Sequence, residues 1–194
     1  IKKQRVSSDR FHIGTERLVL KDHIMSNYRR MNEWENDQEL LFYNDCQDPD
    51  GDKITLSESR EYVRSLIKGT SKSARHYAIF KKEDESFLGF GTIAFIDTYN
   101  KSCKLSIVIG EKSEWGKGFA KEALKAILHF CFETLKVNRI GAEIYCFNKR
   151  SIRLFKGLGF KKEGLIREAV KKNSKFVDEI VFGLLKSEWY ENGL

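Results

Sequence analysis

The 194-residue sequence predicts an α/β domain built on a mixed, mostly antiparallel, twisted sheet, and three observations carry that prediction. Runs with strand character alternate with stretches in which apolar residues recur at helical spacing. Three of the strand-like runs, "HYAIFK", "FLGFGTIAFID" and "CKLSIVIGE", follow one another across short polar or glycine-bearing turns, which argues antiparallel pairing. A long helical stretch then separates "CKLSIVIGE" from "RIGAEIYCF", and a crossover of that length is what parallel neighbours need. About seven strands and about four helices are expected, in one domain over residues 1–194 with its core over about 12–187.

The polar residues 1–10 are expected to be flexible. "TERLVLK" then reads as a short strand, and a helical stretch runs from about Ile24 to Glu35. The acidic, aromatic segment "NEWENDQELLFYNDC" leads into "QDPDGDK", which holds the only proline and reads as an exposed turn. A second helix spans Ser57 to Lys68, capped by Ser57, with Tyr62, Val63, Leu66 and Ile67 on one face. After the three consecutive strands comes the longest helix, Lys117 to Leu135. Its buried stripe is Ala120, Ala123, Leu124, Ile127, Leu128, Cys131 and Leu135. "RIGAEIYCF" is the next strand, "NKRSIRLFKGLGF" a short helix closed by glycine, and "GLIREAV" with "KFVDEIVFGLL" a terminal strand pair.

No stretch approaches the roughly 18 consecutive apolar residues of a membrane span, and "IKKQRVSSDR" lacks the apolar segment of a secretory signal. A soluble, cytoplasmic protein with no membrane partner is expected. Cys46, Cys103, Cys131 and Cys146 form no CxxC pair and read as reduced, mostly buried thiols. None of the four histidines sits in an HExxH arrangement or beside a cysteine at finger spacing, so no metal is implied. The net charge of +7 favours a polyanionic partner: nucleic acid, a membrane surface or a phosphorylated cofactor. Against nucleic acid, the basic residues are not interleaved with exposed aromatics in one run, and no recognition motif occurs.

Two local patterns carry chemistry. In "EWGKGFAKEA", Gly116 and Gly118 flank Lys117 just before a helix. The loop can bring its backbone close to an anion, which there meets free N–H groups and the positive end of the helix dipole. Glycines serving only a tight turn are the competing reading. The P-loop pattern is absent, and a GxGxxG/A reading fails because Lys121 occupies the last small position. In "NKRSIRLFKGLGF", Asn148 and Ser151 open a short helix, which is equally the pattern of an ordinary N-cap with a glycine terminator.

Together, "LSIVIGEKSEWGKGFAKEAL" and the later "NKRSIRLFKGLGFKKEGLIRE" resemble the acetyl-CoA motifs of the GNAT superfamily of N-acetyltransferases. Within it they are similar to the branch that holds ribosomal-protein N-terminal, spermidine and some aminoglycoside acetyltransferases. The resemblance runs from "TERLVL" to "VDEIVFGLLKSEW". It implies the GNAT fold, acetyl-CoA as cosubstrate, and transfer of acetyl to a primary amine by direct attack in a ternary complex. Protein N-termini, polyamines, amino sugars and aminoglycosides all stay open as acceptors, and a homodimer as an assembly. The family signature, Gln or Arg, two residues, Gly, one residue, Gly or Ala, falls on Trp115, Gly118 and Ala120, so its first position departs. By resemblance the backbone donors of Gly116, Lys117, Gly118, Phe119 and Ala120 bind the pyrophosphate. Val108 and Ile109 pair through their backbone with the pantetheine arm, and Asn148, with Ser151 and Phe155 beyond it, lies near the thioester end.

The chemistry needs a neutral amine, donors for the oxyanion and an acid for the departing thiolate. Many relatives use a tyrosine as the acid where this chain has Phe155, which cannot donate. Ser151 matches a serine that some relatives of this branch use, and is taken as the acid. Where many relatives carry Glu, this chain has Lys104. Asp178 is a candidate base: alternation sets it beside Phe176, Ile180 and Phe182, where an unpaired carboxylate is costly. A structural acid bonded to backbone is the other reading of Asp178. Glu143 is a further candidate, with a solvated carboxylate as its plainer reading. The acceptor side is assigned to Glu33, Trp34, Glu35, Asp37, Glu39, Phe42 and Tyr43, whose acids and aromatics suit a cationic amine. An amphipathic helix with a solvated acidic face fits the same residues. Because of Phe155 and Lys104, a noncatalytic CoA-binding module is an alternative to the enzyme; a nucleic-acid-binding module is another.

Overall fold

The computed structural model describes residues 11–44, 52–69 and 71–191. The flexible segment expected over residues 1–10, most of the "QDPDGDK" turn, and Cys46 lie outside these. Among the described residues, eight strands form one sheet in the order β1-β2-β3-β4-β5-β6-β8-β7. They are β1 (His12–Gly14), β2 (Leu18–Lys21), β3 (Arg75–Lys81), β4 (Phe87–Asp97), β5 (Ser102–Ile109), β6 (Arg139–Tyr145), β7 (Lys161–Lys172) and β8 (Lys175–Leu185). The helices are α1 (Asn27–Glu35), α2 (Gln38–Tyr43), α3 (Leu56–Lys68), α4 (Phe119–Glu133), α5 (Lys149–Lys156) and α6 (Lys186–Glu191). The seven expected strands are all present. The eighth, β1, is three residues long, and α2 and α6 are six residues each, too short for a periodicity to announce them.

Every neighbouring pair is antiparallel except β5 with β6, which α4 joins as the expected crossover. That parallel pairing covers only Ser102↔Arg139, Cys103↔Ile140 and Lys104↔Gly141, whereas β5 continues to Ile109. β6 instead stays with β8 as far as Tyr145↔Glu179. The two strands therefore part after Lys104, and among the described residues β5 has no strand on that edge from Leu105 to Ile109.

The core lies mainly on the α4 side of the sheet, where Leu124, Ile127, Leu128 and Phe132 meet Leu18, Tyr77, Ile93, Ile140 and Phe182. A smaller cluster on the opposite side packs Met31, Trp34, Leu40 and Val63 against Phe87 and Phe90. The stripe of α4 differs from expectation at its ends. The helix begins at Phe119 rather than Lys117, and the buried rings of Phe119 and Phe132 replace Ala120 and Leu135, which are half-buried. In α3 the cap is Thr55 rather than Ser57, because Glu58 three residues on completes a reciprocal capping box with it. Tyr62 and Ile67 are exposed, since the helix turns Ser59 and Val63 inward and Ser59 Oγ donates to Glu35 Oε2 at 2.5 Å. Cys103 and Cys131 are buried and free, and Cys146 is half-buried. The hydrogen bond of the Cys131 thiol with Cys103 and then burial push the Cys131 pKa up.

His23, 5% exposed, sits against Phe87 and Phe90, and its Nε2 has no hydrogen-bond partner among the described residues. Burial first and the neighbouring His76 second lower its pKa from 6.5 to about 4. The unfolded chain takes up this proton as pH falls through 6.5, the folded chain only near 4. The folded state should therefore lose up to about 1.4 kcal/mol per pH unit across that window. Thermal melts at pH 7 and pH 5 test this, and His23→Leu should flatten the dependence.

Candidate active site

The loop before α4 is shaped by two glycines. Gly116 (φ 80°) and Gly118 (φ 86°) adopt left-handed conformations that a side chain disfavours. A Cβ on Gly116 would meet nothing within 4 Å. Gly118 is the N-cap of α4 and makes no side-chain cap, and the first helical amide with an acceptor is Glu122 N, bonded to Gly118 O at 3.0 Å. Among the described residues, the amides from Gly116 to Lys121 thus have no protein acceptor. A row of unpartnered N–H groups at a helix N-terminus is a site for an anion.

The bare edge of β5 leads to this loop. Gly110 N donates to Leu88 O of β4 at 3.0 Å, and alternation turns the main-chain groups of Ile107 and Ile109 to the opposite edge. There Ile109 O accepts from Trp115 Nε1 at 2.7 Å. Trp115 also packs on the α1–α3 cluster, and the Arg150 guanidinium lies 4.8 Å over its ring. Its place in the structure explains why the residue there is an aromatic: it closes the end of β5 and ties the loop to both helical layers.

Loop and edge open on one cleft of about 580 Å³, lined by Ile107, Val108 and Ile109, by Trp115, Gly116, Gly118, Phe119 and Ala120, and by Asn148, Ser151 and Tyr43 among others. Asn148 Oδ1 accepts from Ser151 N at 3.1 Å. The N-cap reading of this pair is therefore correct, and it is also what fixes both residues at the cleft wall. At the far end, Phe42 packs on Phe147 at 4.5 Å and brings Tyr43 to the wall. The buried Lys172 ammonium pins this end, donating to Leu41 O at 3.1 Å and Asn44 O at 2.7 Å above the Tyr145 ring. Among the described residues, no three His, Cys, Asp or Glu side chains converge as metal ligands would, and no helix is long and apolar enough to cross a membrane.

A family model described as an acetyltransferase (GNAT) domain matches residues 17–161. The chain belongs to the GNAT acetyltransferase family. An uncharacterized N-acetyltransferase, p20, of Bacillus licheniformis is 30% identical over 90% of this chain and 96% of its own. The [ribosomal protein uS5]-alanine N-acetyltransferase of Escherichia coli is 29% identical over 60% of each chain. Among solved structures, the spermidine N-acetyltransferase of Vibrio cholerae, in complex with CoA and spermine, superposes with a TM-score of 0.78 at 19% identity, over 91% of this chain and 99% of that one. The protein is thus an N-acetyltransferase of the GNAT fold, in a family that uses acetyl-CoA.

Several residues assigned from sequence to this GNAT site lie elsewhere. The Lys117 side chain is not among those lining the cleft and pairs with Glu114 at 3.0 Å, which leaves its backbone amide as the group assigned to the site. Phe155 is buried behind the wall, its ring 5.0 Å from that of Phe160. On the acceptor side only Tyr43 reaches the cleft. Trp34 is buried against Phe87 and Phe90, Glu33 pairs with Arg30, and Glu35 accepts from Ser59 on α3. Burial holds the Glu35 pKa above its ordinary value, with the Ser59 bond opposing. Asp37 and Glu39 both pair with Lys112, which docks α2 onto the turn after β5. The candidate bases are engaged too. Asp178 Oδ1 accepts from Glu168 N at 2.8 Å, the backbone-bonded reading, and Glu143 pairs with Lys104 at 2.6 Å. What sequence reasoning missed is the basic and bracing set around the loop: Arg150 and Arg153 on the cleft wall, and Arg17 with Glu122 behind it. Spacing does not mark the pairings of Arg150 with Trp115 and of Arg17 with Glu122, because each joins segments distant in the chain.

Proposed function

We propose that this enzyme transfers acetyl from acetyl-CoA to the α-amine of a protein or peptide N-terminus, by direct attack in a ternary complex. The observation that carries the reading is the bare edge of β5 running into the unpartnered amides of Gly116–Lys121: an extended, amide-bearing arm that ends in a diphosphate fits both. Acetyl-CoA supplies the acetyl group as an activated thioester. The loop amides and the N-terminus of α4 hold its diphosphate, the main chain of Ile107 and the N–H of Ile109 hold the arm in place of Val108, whose main chain pairs with Phe90 of β4, and Asn148 orients the end near the reacting centre. As the C–S bond breaks, Ser151 Oγ gives a proton to the departing thiolate and is reprotonated by the proton that the attacking nitrogen sheds, directly or through water, as the amide forms.

The choice of acceptor rests on proton chemistry and charge. An α-amine, with a pKa near 7.8, is roughly one-tenth neutral at pH 7, whereas fewer than about one in a thousand lysine-like amines are. The first can react without a strong base, which suits a site whose candidate carboxylates Glu143 and Asp178 are already bonded. A polycation needs free acids, and those of α1 and α2 are matched by Arg30 and Lys112. The uS5-alanine relative points the same way.

Thiol release from acetyl-CoA, followed across peptides with free N-termini, spermidine, glucosamine and an aminoglycoside, tests the reading. Peptides should turn over best, and preference for spermidine would move the acceptor to polyamines. No release with any amine, together with no thermal stabilisation by acetyl-CoA, would overturn the proposal. Ser151→Ala should lower turnover roughly 10²- to 10⁴-fold with a far smaller effect on acetyl-CoA affinity. Undiminished turnover would remove Ser151 from the acid role.

A further inference from the structure

We infer that Arg17 is a positioning residue for acyl-donor binding: from behind the loop it holds the Lys117 carbonyl and matches the charge of Glu122, so that the loop amides face an incoming diphosphate unopposed. The inference rests on the acetyl-CoA reading above. Arg17 lies just before β2, a hundred residues from the loop, yet it makes four contacts there. Its Nε donates to Glu122 Oε2 at 2.7 Å, its backbone N to Glu122 Oε1 at 2.8 Å and its Nη1 to Lys117 O at 3.1 Å, and its guanidinium lies 4.4 Å over the Phe119 ring. Thr15 Oγ1 adds a 2.6 Å bond to Glu122 Oε1.

Two consequences follow from this geometry. A trans peptide is planar, with its C=O and N–H opposed, so a Lys117 carbonyl turned toward Arg17 turns the Gly118 N–H the other way. That way is the cleft, which Gly118 lines and Lys117 does not. The second consequence is electrostatic. Glu122 stands in the first turn of α4, beside the same amides, where a carboxylate without a partner would repel an anion. Burial raises its pKa, and the bonds from Thr15 and Arg17 more than offset that, so the group stays ionised but matched. A planar fork that also stacks on a ring is needed to do all of this, which lysine does not supply.

The test compares two acyl donors, acetyl-CoA and S-acetylpantetheine, which carries the same thioester arm without the diphosphate. Arg17→Gln should lower kcat/KM for acetyl-CoA at least about tenfold more than for S-acetylpantetheine, through KM rather than kcat. Dissociation constants for CoA and pantetheine give the same comparison without turnover. Adding Glu122→Gln to Arg17→Gln should recover several-fold of the CoA affinity, because the unmatched carboxylate is gone. If Arg17→Gln does not fold, Arg17→Lys, which keeps the charge and loses the fork, carries the same comparison. Equal losses with both donors, or no loss, overturn the role of Arg17. Wild-type protein that neither binds CoA nor turns over acetyl-CoA overturns the underlying function instead.

Discussion

Gly118→Val is expected to weaken acetyl-CoA binding by roughly 5- to 150-fold, the equivalent of about 1–3 kcal/mol of backbone strain. Gly118 has φ 86°, where a β-branched residue is a genuine outlier. The variant relieves the strain only by rotating the loop, which carries the amides of Gly118 and Phe119 away from their present direction. Residues 116–118 are exposed and belong to neither apolar cluster, so the loss should appear in affinity far more than in thermal stability. Calorimetric titration with acetyl-CoA measures it. A dissociation constant within about twofold of wild type would mean that these amides do not hold the ligand.

Gly110→Ala is expected to cost about 3 kcal/mol of folding stability, and so to lower Tm by roughly 6–12 °C in a chain of this size. Gly110 is buried at the end of β5, and a methyl group on it would fall well inside contact distance of Trp34 Cδ2, Cε2 and Cε3. Neither side yields easily. The Gly110 amide is bonded to Leu88 O, and the Trp34 ring is held against Phe87 at 4.8 Å and Phe90 at 6.4 Å. Differential scanning calorimetry checks the loss, and Trp34→Leu in the same chain should recover part of it. A Tm within about 2 °C of wild type would show that α1 can shift on the sheet without penalty.

What could be read in advance was what local chemistry decides. Alternation located the seven longer strands, and the apolar stripe of α4 forced β5 and β6 to be parallel. The glycine loop was legible because left-handed residues before a helix leave few choices, and Asn148 because an N-cap has a side-chain signature. That most of the expected acceptor residues do not line the cleft has a physical reason. Between Glu33 and Glu35, Trp34 resembles an exposed ring, and only the arrival of Phe87 and Phe90 from β4 makes it core. Asp178 was placed on an apolar face by alternation alone. Yet the β7–β8 hairpin has a register shift between Ile166 and Val170, and Phe176 at its end is 64% exposed, so that face is not covered there. Arg17 and Glu122 were invisible because an ion pair across a hundred residues leaves no spacing to find.

Among the described residues, only three ladder pairs join β5 to β6, and so the left half of the sheet, β1 to β5, to the right half, β6 to β8. The short seam between these halves therefore opens on the cleft to which the chemistry is assigned here. A guest that lends its own hydrogen-bonding groups to the frayed side of that seam acts as a missing thread, and occupancy and stiffness rise together.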